Sequence, residues 1–385
     1  MESFKTFTPT KLFFGFGEIQ RLATEQMPGK KALVVISSGT SMRRYGYLEK
    51  VTGLLAKNHV ETVVFDKILP NPVKEHVMEG AQICRDEHCD FVVGLGGGSS
   101  IDTAKSIAVM AVNDGDYWDY MQGGSGGKKT VAKALPIVAI PTTAGTGTEV
   151  DLWTVITNGE EKLGFGCDHT YPRLAFVDPD FMMSVPAHLT AYQGFDAFFH
   201  SSEGYLANIA TPISRIYSLK SIALLYKYLP RAVEDGNDKE ARYHVALAST
   251  IAGLVESTSG CISEHALEHA ISGLFPKVPH GAGLIAISLA YFRTFEKDVP
   301  ELYAEMANAM LERTDCTSGD FIKALARMQQ YCKVDDLKMS GWGIKEDDIP
   351  RFLENARTNS KRSFTLDPRP LTDNDILNIY RESYK

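Results

Sequence analysis

Five side chains in the second half of the chain have the types and spacing for metal chemistry. Asp196 and His200 are four residues apart, and His265 and His269 repeat that interval. Residues four apart on a helix share one face. His280 follows in Pro279-His280-Gly281. Imidazole nitrogen and carboxylate oxygen together suit Fe2+, Zn2+ or Mn2+. A divalent ion held this way lowers the pKa of an alcohol or polarises a carbonyl. Spacing leaves open which of His265 and His269 is a ligand, since a hydrogen-bonded core histidine looks the same in sequence. The histidines at 59, 76, 88, 169, 188 and 244 form no comparable set and read as structural or surface residues.

A different chemistry belongs to the first half. Gly96-Gly97-Gly98-Ser99-Ser100 follows an apolar run and opens a helical stretch. Glycine lets backbone N–H groups approach an anion, and a helix N-terminus adds unpaired donors and its positive dipole end. A pyrophosphate fits there. The pattern is neither G-x-G-x-x-G nor a P-loop. A second turn, Pro141-Thr142-Thr143-Ala144-Gly145-Thr146-Gly147-Thr148-Glu149, also leaves a strand end. In open α/β sheets the carboxyl ends of the strands form one ligand crevice. Two such turns suit a long phosphate-bearing ligand.

The elements that must carry these residues follow from periodicity. Runs 31–36, 62–65, 91–95, 136–140 and 174–177 read as strands, alternating with helical spacing over 44–57, 73–88 and 101–113. This alternation predicts a mostly parallel sheet with helices on its faces. Asn158-Gly159 inside 151–165 marks a hairpin. After residue 186 strand signals stop. Segments 188–206, 212–228, 239–256, 262–273, 299–313, 319–331, 348–357 and 373–382 read as helices. The expected organisation is an α/β, Rossmann-like dinucleotide-binding domain over 1–185 and an all-helical metal-binding domain over 186–385.

The chain has 385 residues, enough for two cores, with 44% hydrophobic and 23% charged residues. A net charge of −8 argues against a nucleic-acid binder. No apolar run approaches the roughly 20 residues that span a bilayer. Met1 to Lys5 lacks the layout of a signal peptide. A cytoplasmic protein is expected. Six scattered cysteines are not a disulfide framework, and Cys84, His88 and Cys89 lack a second ligand pair. The apolar segment Lys11 to Phe16 reads as an edge strand, and an exposed edge invites pairing with a second chain, hence an expected homodimer.

Taken in order, several motifs resemble the iron-containing (group III) alcohol dehydrogenase family over essentially the whole chain. They are Pro9-Thr10-Lys11-Leu12-Phe13-Phe14-Gly15, Gly96 to Lys105, Pro141 to Val150, Gly194-Phe195-Asp196-Ala197-Phe198-Phe199-His200, His265-Ala266-Leu267-Glu268-His269 and Pro279-His280-Gly281. The resemblance implies a dehydroquinate synthase-like fold and a hydride transfer between NAD(P)(H) and a primary alcohol or aldehyde. It implies that Asp196, His200, His265 and His280 bind one divalent metal, Fe2+ or Zn2+, with His269 near the substrate. Gly97, Gly98 and Ser99 would cradle the pyrophosphate. Asp102, Thr142, Thr143 and Thr146 would line the nicotinamide side, and Lys162 would reach a ribose. The stretch from His269 to His280 is one residue longer than in commoner members, which bears on the loop near the substrate.

Cofactor choice is read from the turn after the first expected strand. Ser37-Ser38-Gly39-Thr40-Ser41 carries no acidic residue, which dinucleotide folds use to accept from the adenine ribose hydroxyls. NADP(H) is therefore expected over NAD(H), with Ser37, Ser38, Gly39 and Ser41 around the 2′-phosphate and Arg43 or Arg44 nearby. The plainer alternative is an ordinary turn whose serines cap the next helix. Three rival functions remain in view: a glycerol or polyol dehydrogenase, a dehydroquinate synthase-like lyase, and a nucleotide-binding regulator without turnover. The ligand set weighs against the last. A lyase would be expected to carry more cationic residues for a phosphorylated substrate.

Overall fold

The computed structural model describes residues 3–385; Met1 and Glu2, the start of the stretch that lacks a signal-peptide layout, lie outside the described residues. Eight strands form two sheets: β1 (Lys11–Phe14), β2 (Lys31–Ser37), β3 (Glu61–Ile68), β4 (Phe91–Gly96), β5 (Ile137–Pro141), β6 (Trp153–Asn158), β7 (Glu161–Gly166) and β8 (Leu174–Val177). The helices of this half are α1 (Ser41–Arg44), α2 (Tyr47–Lys57), α3 (Lys74–Asp86) and α4 (Gly98–Met110). The large sheet has the order β1-β8-β5-β4-β2-β3 and every neighbouring pair is parallel. β6 and β7 form a separate antiparallel hairpin that turns at Asn158-Gly159.

The central strands are buried on both faces, so they are continuous apolar runs rather than alternating ones. One face packs Leu33, Val92 and Ile107 with Phe165 of the hairpin; the other packs Val34, Val93, Ile140 and Phe176. α4 is buried from Ser100 to Met110, which is why it shows no clean amphipathic stripe. From β2 the chain steps outward to β3, then returns across β2 to β4 and onward to β5 and β8. The carboxyl ends of β2 and β4 are therefore a topological switch point, where open α/β sheets bind ligands.

After Val177 the described chain is helical: α5 (Ala187–Leu206), α6 (Pro212–Glu234), α7 (Lys239–Ser259), α8 (Ser263–Leu274), α9 (His280–Phe295), α10 (Pro300–Leu311), α11 (Ser318–Tyr331), α12 (Ile349–Asn359), α13 (Lys361–Thr365) and α14 (Asp373–Tyr384). Aromatic side chains centre the core, with Tyr303 edge-on to Phe321 at 5.0 Å between ring centroids. No single helix among the described residues is long and apolar enough to cross a membrane.

α9 is absent from the sequence expectation. Its segment is apolar nearly all round and buried from Gly281 to Phe295 except at a few positions, so it carries little of the periodicity that announces a surface helix. β3 is also longer than the four residues expected, because its exposed half is polar edge strand.

The two halves meet closely at the second turn. Gly147 has φ +64°, and a Cβ on Gly253 of α7 would lie 2.1 Å from the Gly147 carbonyl oxygen. Only glycine lets these backbones touch. Thr250 Oγ1 donates to buried Glu149 at 2.6 Å beside this contact. The start of the helical half is thereby fastened against the ligand edge of the sheet.

Candidate active site

A cavity of about 930 Å³ lies between the sheet edge and the helices. Gly97, Gly98, Ser99, Asp102, Thr143 and Thr146 line it from the sheet side. Asp196, His200, His265, His269 and His280 line it from the helical side, and Lys162 reaches it from β7. Thr142, Ser37, Ser38, Gly39 and Ser41 do not line it. Thr142 instead ties the two turns together, its N–H donating to the Gly96 carbonyl at 2.8 Å.

The sheet side fits a phosphate-bearing group. Gly97 caps α4 in an extended conformation with no side-chain cap; the Ser100 N–H donates to the Gly97 carbonyl at 3.0 Å, which leaves the Gly98 and Ser99 N–H groups without helical partners. A Cβ on Gly98 would lie 2.5 Å from Thr146 Cγ2, and one on Gly97 would lie 3.3 Å from Thr143 Oγ1. The two turns thus pack directly against each other, and a side chain on Gly98 would force them apart. The Ser99 hydroxyl is engaged with the Pro70 carbonyl, which leaves its backbone N–H as the donor to an anion.

Behind the cradle lies a buried polar lattice. Lys105, fully buried, donates to Asp151 Oδ1 at 2.8 Å, to Thr148 Oγ1 at 2.7 Å and to the Trp153 carbonyl at 2.7 Å. Thr148 Oγ1 donates to Asp102 Oδ1 at 2.8 Å, and Val155 N–H donates to Asp102 Oδ2 at 2.9 Å. Burial pushes the Asp102 carboxyl up to about 6. Losing Lys105 would strand Asp151 in the interior, so this lysine holds the route from the second turn into the hairpin.

The helical side converges on one atom. α5 supplies Asp196 and His200, α8 supplies His265 and His269, and His280 is the first residue of α9. Nε2 of His265 and of His280 each stand 3.5 Å from Asp196 Oδ1, and Nε2 of His200 stands 3.8 Å from it. Asp196 Oδ1 and His265 Nε2 are buried without a hydrogen-bond partner. Three imidazole nitrogens around an unpartnered carboxylate oxygen are a donor set that fits a divalent cation. Burial works against charge on Asp196, yet His200, His265 and His280 hold its carboxyl well below the usual range. Burial drives His200 down to about 3, so it is neutral near pH 7, the form that ligates.

The other ring nitrogens have their own partners. His265 Nδ1 pairs with Glu203, and His280 Nδ1 pairs with Glu268. Lys162 stands 3.5 Å from Glu268 and donates to Ser272 Oγ at 2.8 Å. Carboxylates in this place fix the tautomer and aim of a ligand histidine. His269 takes a different position: its ring centroid is 5.3 Å from that of His280, and its metal-capable neighbours are Glu268 and His280 rather than Asp196. Burial and the Lys162 charge hold its pKa well below normal. Glu203, Glu268 and Lys105 carry no role in the sequence reading. For the two glutamates the one signal was helical spacing, Glu203 three residues after His200 and Glu268 three after His265.

Residues 9–179 match the family described as iron-containing alcohol dehydrogenase, and residues 190–384 match its C-terminal domain. The chain belongs to the iron-containing alcohol dehydrogenase family. It is 34% identical to choline dehydrogenase of Bacillus subtilis (strain 168), covering 100% of this chain and 96% of the relative. It is 32% identical to the NAD-dependent methanol dehydrogenase of Bacillus methanolicus, covering 98% and 99%. Among solved structures, an archaeal halo-thermophilic alcohol dehydrogenase from a Red Sea brine pool superimposes with a TM-score of 0.95 at 33% identity, over 100% of this chain and 99% of that one. The NADH-dependent butanol dehydrogenase A of Thermotoga maritima gives 0.90 at 29% identity, over 100% and 99%. The protein is accordingly an oxidoreductase of this type, using a divalent metal and a nicotinamide cofactor on small alcohols or aldehydes.

Glu203→Gln should weaken metal affinity by about 10- to 100-fold while the chain stays folded. Competition with a chelator of known affinity, alongside circular dichroism, measures this. Unchanged affinity would remove the orienting role given to Glu203.

Proposed function

We propose that Asp196, His200, His265 and His280 hold one divalent cation, Fe2+ or Zn2+, at which a primary alcohol is oxidised or an aldehyde reduced. The observation that carries this reading is the convergence of three Nε2 atoms on the unpartnered Asp196 Oδ1. The bound cation supplies Lewis-acid stabilisation of charge on the reacting oxygen, and the dinucleotide supplies the hydride chemistry. The backbone of Gly97, Gly98 and Ser99 binds the pyrophosphate. Thr143, Thr146 and Asp102 face the nicotinamide side, and Lys162 reaches a ribose from the hairpin. Asp102 is held in place by Thr148 and the Val155 N–H, so that side of the pocket is rigid before the cofactor arrives. His269, kept neutral, lines the cavity outside the cluster and has a nitrogen free to exchange a proton with the reacting hydroxyl. The α/β unit over 1–185 and the helical unit over 186–385 close around the substrate and exclude water.

The dinucleotide is NADP(H) in preference to NAD(H) on this reading. Ser37 to Ser41 leave β2 at the switch point beside the glycine turn after β4, and none of them is acidic. Arg43 lies on the same edge in an exposed pair with Asp66 at 2.7 Å, an interaction weak enough to yield to a phosphate. The relatives named for NAD or NADH argue the other way, so a direct comparison decides. With NADPH and NADH against butanal, kcat/KM should favour NADPH, and Ser38→Asp should shift the preference toward NADH. Better use of NADH by the wild type would refute the assignment of this turn.

A homodimer is the expected assembly. β1 is a sheet edge with a free side, and Leu12 within it and Phe16 just after it are 37% and 40% exposed. Light scattering at micromolar concentration should give twice the chain mass; a monomer at that concentration would contradict pairing through β1.

A further inference from the structure

Glu256 is a carboxylate in the cavity wall for which the roles above have no use. It lies in the last turn of α7, where the helix dipole disfavours negative charge. No hydrogen bond to its carboxylate is made among the described residues; its ion-pair neighbour is His200 Nε2 at 3.7 Å, beyond hydrogen-bonding reach. Its side chain is only 14% exposed, and that opening faces the cavity. Trp153 closes the flank, its indole N–H donating to the Glu256 carbonyl at 3.4 Å. A buried acid without a donor is costly.

Its place explains what would relieve that cost. Glu256 Oε2 is about as far from His200 Nε2 as Asp196 Oδ1 is, 3.7 against 3.8 Å, so it borders the reacting centre, and no metal-capable group among the described residues includes it. An unsubstituted alkyl chain in this part of the cavity would leave the carboxylate unpaired. A substrate carrying a hydroxyl or amine close to the reacting carbon would satisfy it. We propose that Glu256 selects alcohols and aldehydes bearing a hydrogen-bond donor 1,2- or 1,3-related to the reacting oxygen. The proposal rests on Asp196, His200, His265 and His280 being the reacting centre. A pocket built to pair a polar substituent rejects the analogue that lacks it far more strongly than an apolar pocket rejects a polar group.

The test compares propane-1,3-diol, 3-aminopropan-1-ol and butan-1-ol as substrates of the metal-loaded wild type, Glu256→Gln and Glu256→Leu, with bound metal measured in each. The wild type should favour the diol or the amino alcohol over butan-1-ol by about tenfold or more in kcat/KM. Glu256→Leu should collapse that ratio, chiefly through KM. Glu256→Gln should keep preference for the diol, because its amide oxygen still accepts, while losing any preference for the ammonium. The two donor substrates thus distinguish a hydroxyl from a cationic partner. An equal ratio in wild type and Glu256→Leu would overturn the proposal while leaving the dehydrogenase reading intact. Loss of bound metal in both variants would overturn it too, making Glu256 a ligand. Failure of the wild type on every alcohol with both cofactors would instead sink the reacting centre on which the proposal stands.

Discussion

Asp196 Oδ1 is the atom around which the helical half is organised. It is buried, it has no hydrogen-bond donor, and three imidazole nitrogens face it at 3.5 to 3.8 Å. Removing a carboxylate from water without pairing it is prohibitive, so the arrangement makes physical sense around a cation. The surrounding helices are spaced to achieve it. A Cβ on Gly281 would lie 2.1 Å from the Tyr192 carbonyl oxygen, so the N-terminus of α9 can come up against α5 and deliver His280 only with glycine there. A Cβ on Gly283 would lie 2.9 Å from Glu268 Cγ, and Glu268 is the residue that holds the His280 ring. The second carboxylate, Glu203, accepts from the Ile262 N–H at 2.9 Å while holding His265, so it fixes both the start of α8 and the ring it presents.

The sheet half meets a different constraint. A dinucleotide needs donors and open space at a strand end, and both are lost if any side chain intrudes. The threonine turn occupies the space that a Cβ on Gly97 or Gly98 would need, so glycine lets the two turns pack together at the proposed dinucleotide edge. The Lys105 lattice then sets where the second turn continues into the hairpin, and the hairpin returns Lys162 to the cavity next to Glu268. Lys162 thus links the two sides of the cavity: it stands 3.5 Å from Glu268, the carboxylate that holds the His280 ring.

Much of this was legible in the sequence for reasons that can be stated. Buried parallel strands are continuous apolar runs, so 31–36, 91–95, 136–140 and 174–177 coincide closely with β2, β4, β5 and β8. Asp196 and His200 could be paired because a helix puts every fourth residue on one face. α9 escaped because a helix buried all round has no stripe to read. Glu203, Glu268 and Glu256 escaped for another reason. A glutamate on a helix is ordinarily solvated, and only the packing shows Glu203 and Glu268 at 0% exposure. The choice between His265 and His269 needed the geometry as well, since the two sit on one helix face and differ only in what each ring meets. Thr142 was read as facing the ligand, but its backbone is used to join two turns and its side chain is buried.

The central claim is that one cation, held by Asp196, His200, His265 and His280, makes the chemistry possible. The most direct measurement strips the protein with a chelator and titrates Fe2+ (anaerobically) or Zn2+ back while following turnover with bound metal. Turnover should be absent without metal and rise to a break at one equivalent per chain, and His200→Ala should remain folded yet recover neither metal nor turnover. Full turnover by the stripped protein, or normal metal and activity in His200→Ala, would contradict the account.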